Sequence, residues 1–260
     1  MSSLLPQRPL GSTGIQVSVL GLGTVKFGRD AGLRYPRAFS IPDDEAATRL
    51  LDLALDLGVN LLDTAPAYGE AEARLGRILK HRRQQFVLVT KCGEIFDGRA
   101  SRFDFTPEHT RRSVLASLQR LNTDHLDCVL LHSDGSDLEI LRSSGALDAL
   151  ADLKREGHIR SYGISTKTPD GALEAVASVD VVMLTLSPGA QADLPAAEAA
   201  AACACGVLVK KALNSGHEQQ APEAALKWAA SRPGVSAVVV GSINPEHMRR
   251  NAAALMADGA

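Results

Sequence analysis

The chain has 260 residues, 45% of them hydrophobic and 22% charged, with a formal net charge of -2. That balance is ordinary for a globular protein with a large core and excludes extensive disorder. A charge so near zero, with no long basic tract, gives no general attraction to phosphate backbones or anionic membranes, so neither nucleic acid nor membrane is an expected partner.

The N-terminal MSSLLPQRPLGSTG lacks the basic start and apolar core of a signal peptide, and no apolar stretch reaches the ~18 residues of a membrane span, so a soluble cytoplasmic protein is expected. Cys92, Cys128, Cys203 and Cys205 show neither zinc-type C-x-x-C spacing nor the density of a disulfide scaffold, and read as reduced, mostly buried thiols.

Along the chain, 8-RPLGSTGIQVS-18 sets glycines between short polar runs and predicts a hairpin plugging a barrel floor. Eight β-rich apolar runs follow: 17-VSVLGLGTV-25, 60-NLLDTA-65, 86-FVLVTK-91, 126-LDCVLLH-132, 159-IRSYGIST-166, 180-DVVMLTLS-187, 206-GVLVKKAL-213 and 236-SAVVVGSI-243. Nearly continuous apolar runs are expected of parallel strands covered on both faces.

Amphipathic stretches alternate with them. In 43–58, Leu50, Leu51, Leu53, Ala54, Leu55 and Leu57 form an apolar face and Gly58 supplies a stop. In 106–122, Thr106 is the candidate N-cap and Pro107 the first helical residue. Residues 145–157 and 223–234 end near glycine, and Pro245 opens a last helix over 245–257. Eight strand–helix units without a long linker predict an α/β fold, a (β/α)8 TIM barrel forming one domain over 1–260. The final ADGA is expected to fray.

Active sites of such barrels lie at the C-terminal ends of the strands. Asp63, Lys91 and His132 end the second, third and fourth runs, and Tyr68 follows the second by a short loop. Singly, each has a bland reading: Asp63 as a helix cap, Lys91 as a snorkelling lysine, His132 as a satisfied core histidine. Together they form a mouth suited to acid–base chemistry, in which an ammonium at Lys91 is expected to lower the pKa of Tyr68, Asp63 keeps Lys91 charged, and His132 orients a substrate oxygen. A proton donor of this kind needs a separate source of hydride.

The ordered motifs 63-DTAPAYG-69 with 75-LGRIL-79, VTKCG, LLH, GIS and 238-VVVGSINPEHMRRN-251 resemble those of the aldo-keto reductases, over a span from GLGT at 21–24 to Asn251. The resemblance implies a (β/α)8 barrel that binds a nicotinamide cofactor, NADPH with NADH also possible, and reduces an aldehyde or ketone. It implies Tyr68 as general acid, Lys91 and Asp63 tuning it, His132 aligning the carbonyl, and no metal. GLGT, with Gly23 and Thr24, falls within the implied cofactor site but lacks the third glycine of a phosphate-binding fingerprint.

Carried over position by position, the implied cofactor site takes Ser165 and Thr166 where Ser-Asn is common, Met183 where Gln is common, and Lys210 where an aromatic ring often stacks. Lys211, Leu213 and Ser215 match the pyrophosphate path. Ser242, His247, Arg250 and Asn251 match the adenosine end, where the last helix's N-terminus favours an anion. Gly241 and His247 replace a common Lys and Arg; Arg249 or Arg250 is expected to compensate, which favours NADPH.

Ser-Asp-Gly follows His132, and the long C-terminal substrate loop of many relatives is absent, so an open pocket is expected. Lys26, Arg29, Arg34 and Arg37 in loop 25–39 either favour acidic carbonyl compounds or face solvent, and Phe27 and Tyr35 either wall the pocket or pack. Trp228 reads as core, and Cys92 points away from the mouth. The expected partner is a small carbonyl substrate, with no obligate protein partner. Two other readings remain: a catalytically weak nicotinamide-binding regulatory or sensor protein of the same fold, and an aldolase-like barrel using Lys91 as Schiff base.

Overall fold

A computed structural model describes residues 4–33, 35, 36, 38–217 and 221–256. The ADGA end, expected to fray, and Arg34 and Arg37 of the basic loop lie outside the described residues.

The first two strands, β1 (Gln7–Pro9) and β2 (Gln16–Ser18), pair antiparallel as the expected hairpin, so the run from Val17 is divided between this hairpin and the first barrel strand. The barrel strands then run β3 (Leu20–Gly23), β4 (Leu61–Asp63) and β5 (Val87–Cys92). A second hairpin absent from the sequence reading intervenes, β6 (Glu94–Phe96) with β7 (Ser101–Phe103). The barrel continues with β8 (Leu126–His132), β9 (Ile159–Ser165), β10 (Val181–Thr185), β11 (Gly206–Lys210) and β12 (Val235–Val240). These eight strands close as a parallel barrel in chain order, β12 pairing back onto β3.

The outer layer comprises α1 (Asp44–Asp56), α2 (Ala71–Ile78), α3 (Pro107–Leu121), α4 (Asp137–Ser143), α5 (Ala146–Arg155), α6 (Pro169–Ala175), α7 (Leu194–Cys203), α8 (Pro222–Ala230) and α9 (Pro245–Leu255). Local chemistry explains their ends. Asp43 accepts from the Ala46 N–H at the start of α1, Thr106 from the His109 N–H at the start of α3, and Asn122 closes α3 in the left-handed region. Leu50, Leu51 and Ala54 of α1 are fully buried against the sheet. Among the described residues no helix is long and apolar enough to cross a membrane.

Two apolar clusters divide the core. The larger lies between the sheet and the helices. The smaller fills the barrel, where Leu61, Val89, Leu130, Met183 and Leu208 meet Leu10, Ile15 and Val17 from the first hairpin. The hairpin therefore plugs the floor with apolar side chains, and only the opposite face is left for polar chemistry.

Candidate active site

Inward positions repeat every second residue along a strand. Leu61, Val89, Leu130 and Leu208 belong to the interior cluster, so the next inward residues, Asp63, Lys91, His132 and Lys210, emerge at the C-terminal mouth. Cys92 falls on the opposite parity, in the outer cluster, and burial pushes its thiol up to about 12. Sequence reading placed the three strand-end groups of the expected tetrad correctly because this alternation is rigid.

Lys91 Nζ donates to Asp63 Oδ1 at 2.5 Å and to the Thr64 carbonyl at 3.0 Å, with both side chains almost fully buried. Asp63 is thus a partner of Lys91 and not a helix cap. Burial alone would lower the Lys91 pKa, but the Asp63 charge, together with Tyr68 and the hydrogen bonds to both, outweighs it and holds the ammonium above its ordinary value. Tyr68 sits on a single 3-10 turn, Pro66–Tyr68, with its ring centroid 4.9 Å from Lys91 Nζ. Two close backbone approaches fix that turn. A Cβ on Gly28 would lie 2.3 Å from the Tyr68 carbonyl, and one on Gly69, whose φ is +60°, would lie 2.2 Å from the Gly28 carbonyl.

The expected lowering of the Tyr68 pKa is not the net result. Burial dominates and pushes the phenol up to about 12; Lys91 pulls it down as expected, but Asp63 offsets part of that pull. Tyr68 is therefore a neutral phenol through the physiological range. It remains a competent donor, because an alkoxide formed beside it is more basic than a phenolate.

His132 stands edge-on to Tyr68, ring centroids 6.3 Å apart at 86°. Burial, reinforced by the Lys91 and Lys210 charges, lowers its pKa, while Glu94 opposes that shift. That net shift favours the neutral ring. Its Nδ1 lies 2.8 Å from Glu94 Oε2, a contact within ion-pair distance but bent away from the straight line of a full hydrogen bond. Burial would raise Glu94, but His132, Ser101 and Arg29 outweigh it and pull the carboxyl down to about 2. Sequence reading missed Glu94. Gly93, at φ +99°, turns the chain so that the β6–β7 hairpin folds back over the mouth, and the Lys-Cys-Gly sequence was the available signal.

A cleft of about 1080 Å³ runs from Tyr68 across the barrel mouth to α9. It brings together Asp63, Tyr68, Lys91 and His132 with Gly23, Ser165, Thr166, Met183, Lys210, Lys211, Leu213, Ser215, Ser242, His247, Arg250 and Asn251. Thr24 is the exception among the expected positions. It is fully buried, and its hydroxyl donates to the Asp63 carbonyl at 3.0 Å, so it braces the strand end from below.

The donor set suits an elongated anionic ligand such as a nicotinamide dinucleotide. Thr166 Oγ1 is buried at the cleft with no hydrogen-bond partner among the described residues. Lys26, Lys211 and Arg250 add cationic groups along the walls. Of the five described non-glycine residues with positive φ, Lys211, Asn214 and Ser215 lie in the loop after β11, and such concentrated backbone strain is typical of ligand-binding loops.

Lys210 Nζ donates to Ser165 Oγ at 2.8 Å and to the Thr166 carbonyl at 2.6 Å. Burial, with the Lys211 and Lys91 charges added, pulls its ammonium down to about 7.

At the far end the structure differs from expectation. Asn244 caps α9 by accepting from the Glu246 and His247 N–H groups, so two donors expected to face an anion are already engaged. Arg250 lines the cleft and lies 3.5 Å from Glu223, whereas Arg249 contacts Glu246 away from it. A side chain at Gly241 would approach the Tyr35 hydroxyl at 3.2 Å. Lys26 rests 4.0 Å from the Tyr35 ring centroid and 4.9 Å from that of Phe39. It brings a cation to this end from the opposite wall.

Neither reading of the basic loop covers Arg29. Its guanidinium stacks 3.5 Å from the Phe96 centroid, donates to the Ala67 carbonyl and lies 3.5 Å from Glu94. Phe27 is packed in the outer core, Tyr35 walls the cleft, and Trp228 packs against the outer cluster under Arg232.

The model described as Aldo/keto reductase family matches residues 19–203. The fold superposes on the crystal structure of PA4992 from Pseudomonas aeruginosa, provisionally described as an aldo-keto reductase, with a TM-score of 0.88 and 50% identity over 96% of this chain and 93% of that one. L-galactose dehydrogenase of Arabidopsis thaliana is 27% identical over 292 aligned residues, covering 95% of this chain and 87% of that protein. NADH-specific methylglyoxal reductase of Escherichia coli is 33% identical over 175 residues, 62% of this chain and 52% of that protein.

Proposed function

The chain belongs to the aldo/keto reductase family, and on that premise we propose that it reduces a small aldehyde or ketone to the alcohol with NADPH, Tyr68 supplying the proton. The observation that carries the reading is the buried Asp63–Lys91 pair beside the Tyr68 ring, within a cleft that extends far enough for a dinucleotide. When bound, the cofactor supplies hydride to the carbonyl carbon.

As that bond forms, the carbonyl π electrons move onto oxygen and Tyr68 O–H gives up its proton there. Lys91 stabilises the phenolate left behind, and Asp63 keeps Lys91 charged without competing for the proton. His132 and Tyr68, packed edge to face, restrict where the oxygen can sit. Ser165 and Thr166 hold the nicotinamide end, Lys211, Leu213 and Ser215 line the diphosphate path, and Ser242, His247, Arg250 and Asn251 hold the adenosine end. Lys26 and Arg250, both lining the cleft, support NADPH over NADH in this reading.

The test is cofactor consumption by purified protein with NADPH, or NADH, and a panel of reactive aldehydes. Turnover lost in Tyr68→Phe supports the reading. Tight NADPH binding with no turnover on any carbonyl would replace it with a nicotinamide-binding sensor, and borohydride trapping of an aldehyde on Lys91 without nicotinamide would replace it with Schiff-base chemistry.

A further inference from the structure

Among the inward residues that end strands at the mouth, Lys210 is the one the proton-transfer scheme leaves idle. Its Nζ donates to Ser165 Oγ at 2.8 Å and to the Thr166 carbonyl at 2.6 Å, both neutral oxygens, whereas the Lys91 charge is paired with Asp63. Asp193 and Asp137, which favour the Lys210 charge, are bonded elsewhere. Asp193 Oδ2 accepts from the Thr185 N–H at 2.9 Å, and Asp137 Oδ2 accepts from the Lys167 and Thr168 N–H groups and the Thr168 hydroxyl. Lys210 therefore lines the cleft as an ammonium with hydrogen-bond partners but no ion-pair partner among the described residues.

The place of that charge matters, because hydride can reach a carbonyl beside Tyr68 only if the nicotinamide end of the cofactor enters the same mouth. Ser165 and Thr166 line the cleft there, and Lys210 bonds both. Its charge also acts on Lys91 and His132 across the mouth. The two oxidation states of a nicotinamide ring respond differently to a nearby cation. The reduced ring is neutral, and loss of hydride, a proton with two electrons, leaves it positively charged.

We propose that Lys210 makes the site selective for the oxidation state of the nicotinamide: its ammonium, fixed to Ser165 and Thr166, admits the neutral reduced ring and repels the cationic oxidised one. This rests on the reductase reading, with the nicotinamide end at Ser165 and Thr166. The phosphates and adenosine are the same in both forms, so whatever Lys26, Lys211 and Arg250 contribute there cancels in the comparison, and a charge beside the ring is what separates the two affinities. A site with this bias holds NADPH and sheds NADP+ once the ring is oxidised.

The bias depends on pH. Burial, Lys211 and Lys91 disfavour the Lys210 ammonium, Asp193 and Asp137 favour it, and the balance brings it down to about 7. His132, across the mouth, has a net shift that favours its neutral ring. Selectivity for the reduced form is therefore present on the acid side, where Lys210 is charged, and is lost as the pH rises through that value.

Equilibrium binding tests this without turnover: NADPH titrated by fluorescence and NADP+ by displacement of NADPH, in wild type, Lys210→Met and Lys210→Arg. In the wild type the ratio of the NADP+ to the NADPH dissociation constant should fall by about fivefold between about pH 6 and about pH 8.5. Lys210→Met should show the low ratio at both pH values, and Lys210→Arg, whose guanidinium keeps its charge, the high ratio at both. A lysine with a purely structural role would change both constants together and leave the ratio flat. Should Lys210→Met not fold, the wild-type trend and its absence in Lys210→Arg decide. A flat ratio in a wild type that binds both forms, or the wild-type trend persisting in either variant, overturns the oxidation-state role and leaves the reductase reading standing. Failure of the wild type to bind either form removes both.

Discussion

The two halves of the barrel mouth are held by different means. On the β4–β8 side, Asp63, Lys91 and His132 emerge from rigid strands, Asp63 and Lys91 as an ion pair and His132 beside Glu94, and even the Tyr68 turn is locked backbone to backbone against the loop after β3. On the β9–β12 side, strand ends supply Ser165, Met183 and Lys210, but the rest of the wall comes from the strained loop 211–215, the 241–244 turn and the side chains of α9. The first half reads as fixed reaction machinery, and the second as an adaptable holder whose chemistry depends on loop conformation.

Breaking the first half should have the largest effect. Tyr68→Phe is expected to lower turnover by about 10²–10⁴-fold while leaving the melting temperature and cofactor affinity nearly unchanged, as measured by steady-state kinetics beside thermal melts and fluorescence titration. If both halves lost function equally, the division between them would be wrong.

Lys91→Met strands a buried carboxylate and should cost about 3–5 kcal/mol in denaturant unfolding, besides abolishing turnover. The sign with pH follows from the raised Lys91 pKa: its contribution is fully present below the ordinary lysine value and is lost as pH rises through the raised one. The wild-type advantage over Lys91→Met should therefore shrink only in strongly alkaline solution.

The second half should respond more gently. Arg250→Ala is expected to weaken NADPH binding by roughly tenfold and NADH binding by less than about twofold, because only the former carries the additional phosphate. Equal losses would move the cation role to Lys26. The smallest expected effect is at Lys210. Its ammonium loses its proton as the pH passes about 7, so affinity for the anionic cofactor should fall about threefold across that range in the wild type and stay flat in Lys210→Met.

Legibility in the sequence follows the same division. The eight strands, the floor hairpin and the mouth positions of Asp63, Lys91 and His132 were readable because strand alternation carries a residue from its position to its side, whereas Tyr68, on a turn beyond β4, was readable from the DTAPAYG motif. The sign of the Tyr68 shift was not, because it depends on how completely the ring is buried, which no spacing reveals. Glu94 was hidden by a turn at Gly93, and the expected anion site at α9 was diminished by Asn244, a cap whose target is decided by its own rotamer. Lys26 approaches the far end only because its loop folds over Tyr35 and Phe39, a tertiary contact without a local pattern.

The central claim is that the paired-charge half makes Tyr68 the proton donor while the other half only holds the cofactor. It is tested most directly by single-turnover mixing of protein preloaded with NADPH against a reactive aldehyde, in wild type and Tyr68→Phe. The account predicts equal NADPH loading in the two proteins and oxidation slower by about 10²–10⁴-fold in the variant. Oxidation at the wild-type rate in Tyr68→Phe, or a wild type that fails to load nicotinamide at all, would contradict it.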